Sequence, residues 1–156
     1  MRVSHLPEVL AIESEVFFTP WTEGMFRQEL SRGWVSRVYV ALLEERVVGY
    51  EIAWFVEDSV HLVNIAVAQS LRRRKIGSVL LENILDEAIG EGKRHVTLEV
   101  RKSNRAAQAF YRSFGFELVG IREGYYSDNH EDAVLMTLFL PSYVRKRRRH
   151  DETDRI

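Results

Sequence analysis

The run Leu98-Glu99-Val100-Arg101 is followed by Ser103-Asn104 and then by Ala109-Phe110-Tyr111-Arg112. It sets a carboxylate, which can accept a proton, shortly before a phenol, which can donate one. Neither residue decides anything alone. A Glu beside an Arg in a strand is commonly an ion-paired surface residue, and a Tyr on a helix stripe is commonly a core residue with its hydroxyl satisfied. Asn104, at a helix start, reads first as a cap. A second group is basic. Arg72-Arg73-Arg74-Lys75 stands between the apolar run Asn64-Ile65-Ala66-Val67 and the stretch Ile76-Gly77-Ser78-Val79-Leu80-Leu81. Four cations between a strand and a helix start suit an anion, because unpaired N–H groups and the helix dipole act in the same direction. As a bare charge run the same residues read equally as a solvated face.

Other chemistry is excluded or unsupported. The chain of 156 residues has no cysteine, so disulfides, thiolate metal sites and a Cys nucleophile are ruled out. His5, His61, His95, His130 and His150 have no metal-ligand spacing to one another, so no metal is expected. The glycines fit neither a dinucleotide fingerprint nor a P-loop. A hydrophobic content of 46% with 29% charged residues is that of an ordinary globular domain. No apolar run reaches the roughly 20 residues of a membrane helix. The start, Met1 to Glu8, lacks an apolar signal-peptide region, so a cytoplasmic location is expected. The net charge of −1 hides an asymmetry. Arg72–Lys75 and Arg145–Arg149 hold nine cations and no acids, leaving 13 cations against 23 acids elsewhere. A basic grip on an acidic body suits an anionic cofactor and a cationic amine; charge scattered for solubility explains it equally well.

These residues need elements to hold them. Leu6, Val9, Leu10 and Ile12 space as a first helix, ended by Phe17-Phe18-Thr19-Pro20-Trp21. Thr22 caps a second helix that turns Met25, Phe26 and Leu30 inward. Strands follow at 35–43, 47–55 and 59–67, then a long helix with Ile76, Val79, Leu80, Ile84, Leu85, Ala88 and Ile89 on its stripe. A strand at 95–100 places Thr97, Glu99 and Arg101 on one face. Ser103 can cap a helix striped by Ala107, Phe110, Tyr111 and Phe114, and Gly115 can close it. Strands at 116–121 and 133–140 complete the domain, residues 1–141. The early strands favour antiparallel pairing, and the crossover through the long helix favours a parallel pair in the middle. The tail, 142–156, reads as basic and disordered.

The spacing Leu-Glu-Val-Arg-x-Ser-Asn-x-x-Ala-x-x-Phe-Tyr-x-x-x-Gly-Phe, over residues 98–116, resembles the GNAT family of N-acetyltransferases. Within that family it is most similar to the branch acting on ribosomal-protein alanine and on archaeal N-termini. Pro20-Trp21, Asn64-Ile65-Ala66-Val67, Arg122-x-x-Tyr125-Tyr126-x-Asp128 and Glu131-Asp132-Ala133-Val134-Leu135-Met136 carry the same resemblance, in the same order. It implies the α/β GNAT fold: a mixed, largely antiparallel central sheet with a parallel pair splayed at the middle and helices on both faces.

It also implies acetyl-CoA as cofactor, CoA as product, and the N-terminal α-amine of a protein or peptide, such as a ribosomal protein, as acceptor. Alternatives are a lysine or small polyamine as acceptor, or an acyl-CoA-binding module without turnover. By resemblance Glu99 is the general base and Tyr111 the general acid. Ile65, Ala66 and Val67 meet the thioester, and Arg72, Arg73, Arg74, Lys75, Ile76, Gly77 and Ser78 wrap the pyrophosphate. Asn104 and Arg112 lie along the pantetheine and phosphate path. Lys75 stands where the family's phosphate loop has its first glycine: a position with φ > 0 would strain it, and a helical one would not. Phe18, Pro20 and Trp21, with Tyr125, Tyr126 and Asp128, flank the approach of the amine, although both clusters also read as packing. Contact of the tail with nucleic acid or a ribosome is the weaker reading, and no membrane contact is expected.

Overall fold

The structure is a computed structural model that describes the backbone of residues 1–153 and the side chains of residues 1–147. The chain forms two compact units. One comprises Met1–Val56 and His61–Glu87; the other comprises Glu57–Val60 and the chain from Ala88 onward.

The first unit begins with helices α1, Leu6–Val16, and α2, Glu23–Ser31. Strands β1, Ser36–Leu43, β2, Arg46–Val56, and most of β3, Ser59–Val67, come next. A short 3-10 turn, Gln69–Leu71, and the basic residues lead into α3, Ile76–Gly90, whose residues from Ala88 on belong to the second unit. Leu6, Val9 and Ile12 of α1 are buried with Phe26, Tyr50 and Ile52, as the three-and-four spacing requires. Thr22 caps α2 by accepting the Met25 N–H at 3.4 Å. Met25 itself is exposed and Glu29 is buried in its stead, accepting from the Ser36 hydroxyl at 2.7 Å and Trp54 Nε1 at 2.8 Å. In α3 the inward stripe is Leu80, Leu81, Ile84, Leu85 and Ala88, and Val79 faces out. Gly49 allows close packing here: a Cβ on it would lie 2.9 Å from the Ala66 carbonyl oxygen and 3.1 Å from Leu80 Cδ1.

The second unit contains β4, His95–Arg101, α4, Arg105–Ser113, β5, Glu117–Arg122, β6, Ala133–Phe139, and α5, Leu140–Thr153. Strand β6 pairs antiparallel with both β4 and β5. Burial alternates along β4, with Val96, Leu98 and Val100 inward. Asn104, not Ser103, caps α4, its Oδ1 accepting the Ala107 N–H at 3.1 Å. Gly115, at φ +96, ends the helix, and its N–H reaches the Arg112 carbonyl at 2.9 Å.

The register of β5 breaks between Leu118 and Gly120. The expected disordered tail from 142 is corrected over 142–153. Leu140 is buried and donates its N–H to the Arg94 carbonyl at 2.9 Å, and this fixed start continues as helix through residues of good helix propensity. Residues 154–156 lie outside the described residues.

Within the first unit the strands run in the order β1-β2-β3, and within the second in the order β4-β6-β5. The fold is of the mixed, mostly antiparallel α/β class read from the sequence.

Candidate active site

Strand alternation turns Glu99 away from the buried face of β4. Its carboxylate lies 3.6 Å from Arg122 Nη2 at the end of β5, and only 12% of the side chain is exposed. Arg122 also stands over the Tyr125 ring at 5.7 Å, and Tyr125 meets Tyr126 edge-on at 5.2 Å. Burial pushes the Tyr126 hydroxyl up to about 12, against the opposing pull of the Arg101 guanidinium stacked 3.9 Å above its ring. Glu99 therefore belongs to a connected group of acid, guanidinium and two phenols.

The segment carrying those phenols is tied to the end of β4. Arg101 donates to Asp128 Oδ2 at 2.6 Å, to Asn129 Oδ1 at 3.2 Å and to Glu131 Oε2 at 3.3 Å. Lys102 reaches Asp132 at 3.0 Å, and the Ser103 N–H donates to Glu131 Oε1 at 2.7 Å. Hydrogen bonds from Ser103 hold the Glu131 carboxyl below its ordinary range. Asp128, expected to face substrate, is engaged by Arg101. Its bond crosses 27 residues of sequence, so local spacing could not show it.

Tyr111 is buried on α4 beside Phe110 and Phe116, with ring centroids at 5.3 and 5.6 Å. Burial pushes its phenol well above the ordinary range, so it stays protonated. Asn104 and Arg112 are exposed at opposite ends of α4. Asn104 spends its side-chain oxygen on the cap.

In the first unit, Arg72, Arg73, Arg74 and Lys75 are exposed immediately before α3, with Ile76, Gly77 and Ser78 as its first residues. The four side chains have no ion-pair partner among the described residues. Arg73 and Lys75 both adopt φ +63. Lysine therefore occupies a left-handed position that favours glycine, which resolves the question its identity raised. Free cations beside unpaired helix N–H groups fit a pyrophosphate. Ile65, Ala66 and Val67 end β3, before this turn.

Phe18 and Pro20 are exposed between α1 and α2, and Trp21 is half-buried with its ring 5.5 Å from Phe26. The Trp21 N–H donates to Glu13 Oε1 at 2.8 Å. The sequence pattern gave no role to Glu13 or Tyr50, and showed Arg101 and Glu131 only as members of the motifs, not as the pair that ties the Tyr125–Tyr126 segment to β4. Glu13 had left a trace: an acid one residue after Ile12, on the apolar side of a helix.

Among the described residues, no cluster of side chains could hold a metal ion, and no helix is long and apolar enough to cross a membrane.

The profile of the acetyltransferase (GNAT) family matches residues 6–116. A [ribosomal protein bS18]-alanine N-acetyltransferase of Salmonella typhimurium is 36% identical over 140 residues, 88% of this chain and 93% of that one. The crystal structure of the ribosomal-protein-S18-alanine N-acetyltransferase from Escherichia coli superposes with a TM-score of 0.82, at 34% identity over 90% of each chain. A GNAT family acetyltransferase from Elizabethkingia anophelis with acetyl-CoA bound shares the fold, with a TM-score of 0.70 at 19% identity over 86% of this chain and 90% of that one. Family profile, relatives and fold agree along most of the chain, and it belongs to the GNAT family of acetyltransferases, enzymes that use acetyl-CoA.

Proposed function

We propose that this enzyme acetylates the N-terminal α-amine of a protein or peptide. The observation that carries the reading is the connected group Glu99–Arg122–Tyr125–Tyr126, fixed by Arg101. It presents a carboxylate beside a rigid, phenol-lined segment, which suits an amine attached to a peptide backbone. The relatives' named acceptor, the alanine of a ribosomal protein, supports the same choice.

Acetyl-CoA, when bound, supplies an activated acetyl thioester. Everything else falls to the chain. Arg72 to Lys75 and the first N–H groups of α3, at Ile76, Gly77 and Ser78, hold the pyrophosphate. Asn104 and Arg112 line the rest of the cofactor's path. An N–H at Ala66 or Val67 receives the charge developing on the carbonyl oxygen. An α-amine with a pKa near 8 is mostly protonated at pH 7, so Glu99 takes its proton, directly or through water. Tyr111, kept protonated by burial, returns a proton to the departing sulfur. Phe18, Pro20, Trp21, Tyr125 and Tyr126 contact the peptide, and Asp128 serves by holding Arg101.

The test is CoA release from a panel of short peptides that differ in their first residue. Peptides beginning with Ala, Ser or Met are expected to react. N-terminally blocked peptides with free lysines are the control, and equal rates on them overturn the N-terminal assignment. Glu99→Gln should lower turnover by about 10²–10⁴-fold, less at high pH where the amine is already neutral. Tyr111→Phe should slow CoA release and leave acetyl-CoA affinity unchanged. Full activity in both variants would return these two residues to structural roles.

A further inference from the structure

One buried carboxylate has no part in the chemistry above. Glu13 is 1% exposed on α1. Its Oε1 accepts the Trp21 N–H at 2.8 Å. Its Oε2 accepts the Tyr50 hydroxyl and, at 3.3 Å, the side-chain amide of Asn64. The same amide lies 3.3 Å from the Tyr50 oxygen. The rings complete the circuit: Trp21 packs on Phe26 at 5.5 Å, and Phe26 meets Tyr50 edge-on at 5.5 Å. Trp21 is thus held at its backbone by Glu13 and at its ring by a residue packed edge-on against Glu13's own partner.

Each end of this circuit adjoins residues assigned above. Trp21 closes the segment that carries Phe18, a residue 92% exposed. Asn64 directly precedes Ile65-Ala66-Val67. Burying a carboxylate is costly, and burial raises the pKa of Glu13 against the pull of the Trp21 N–H. Tying down one N–H needs no such group, since a neutral Asn or Ser oxygen would do it. A carboxylate is the small group that accepts from three donors at once, and here the three come from the segment, β2 and β3.

We propose that Glu13 is a positioning residue that sets the register between the first residue of the acceptor peptide, at the Phe18–Trp21 segment, and the thioester at Ile65–Val67. This rests on the acceptor and thioester assignments made above. Glu13 touches neither substrate; it acts through Trp21 and Asn64. Its loss frees the segment to shift against the strand, so the peptide binds in several registers and its first side chain is read less sharply.

The experiment compares wild type, Glu13→Gln and Tyr50→Phe as full-length proteins. Acetyl-CoA affinity is measured by titration, and steady-state kinetics are run on peptides beginning with Ala, Ser and Leu. Loss of a hydrogen bond to a charged group is worth about tenfold, so the peptide KM should rise by about that factor in Glu13→Gln. Preference among the three peptides should flatten, and the acetyl-CoA dissociation constant should stay within about twofold of wild type. Tyr50→Phe should move the same two readouts by less. A merely structural Glu13 would lower the melting temperature and leave peptide KM and preference untouched in the folded fraction; that result overturns the proposal. Should Glu13→Gln fail to fold, Tyr50→Phe decides by the same criterion. If wild type acetylates only lysines or polyamines, the N-terminal reading fails separately. The KM for that amine then tests Glu13, and an unchanged value refutes its role.

Discussion

Glu51, on β2, is fully buried; its Oε1 accepts from Asn83 Nδ2 at 3.1 Å, and its Oε2 has no partner among the described residues. Glu87 adds a like charge nearby, itself engaged by the Tyr39 hydroxyl at 2.7 Å and by Arg37 at 2.8 Å. Burial first, and then Glu87, push the Glu51 carboxyl from an ordinary 4.5 up to about 8. Below the lower value the group is neutral in folded and unfolded chains alike. Between the two the unfolded chain gives up its proton and the folded chain keeps it, so stability falls as pH rises, by about 1.4 kcal/mol per pH unit. Above the higher value both states are ionised and the loss levels off.

Glu51→Gln removes this titration. Its stability relative to wild type should therefore climb by roughly 2–3 kcal/mol between pH 5 and pH 7.5. The absolute offset depends on how the new amide is satisfied, so the change with pH is the readout. Urea unfolding at fixed pH values measures it, and all other titrating groups cancel in the difference. Parallel stability curves for the two proteins from pH 5 to pH 8 would refute an acid kept neutral by burial.

Three other perturbations have signs fixed by the structure. Lys75→Gly should stabilise the ligand-free protein by up to about 1 kcal/mol, since φ +63 strains a side chain, and should weaken acetyl-CoA several-fold by removing an exposed cation; melting curves and titrations at two salt concentrations separate the effects. Gly49→Ala should cost about 1–3 kcal/mol in urea unfolding, because the new methyl group would meet the Ala66 carbonyl oxygen at 2.9 Å. Arg101→Met should loosen the Tyr125–Tyr126 segment, raising peptide KM and leaving acetyl-CoA affinity unchanged, as read by the same peptide kinetics.

What was legible in the sequence was periodic or local. Alternation along β4 placed Glu99 correctly opposite Leu98 and Val100, and Thr22 announced the start of α2. Met25 and Val79 went astray because a stripe at three and four leaves its margins undecided; packing then chose Glu29 and Leu81. The helical tail was misread from composition alone, because its anchor, the Leu140 N–H on the Arg94 carbonyl, is a contact across 46 residues. The candidate site was legible as residue types in order. Its supports were not: Glu13 meets Asn64 from 51 residues away and Arg101 meets Asp128 from 27 away, and no local pattern encodes such pairs.

The break in β5 bears on how this protein behaves when concentrated. The strand ends the sheet order and exposes Leu118, Val119 and Ile121, a composition that invites another chain to add itself to the edge. An arriving strand would find the ladder out of step at Val119 and a charge at each end, Glu117 and Arg122. An apolar border is thereby made a poor template for aggregation, with no other element needed to cover it.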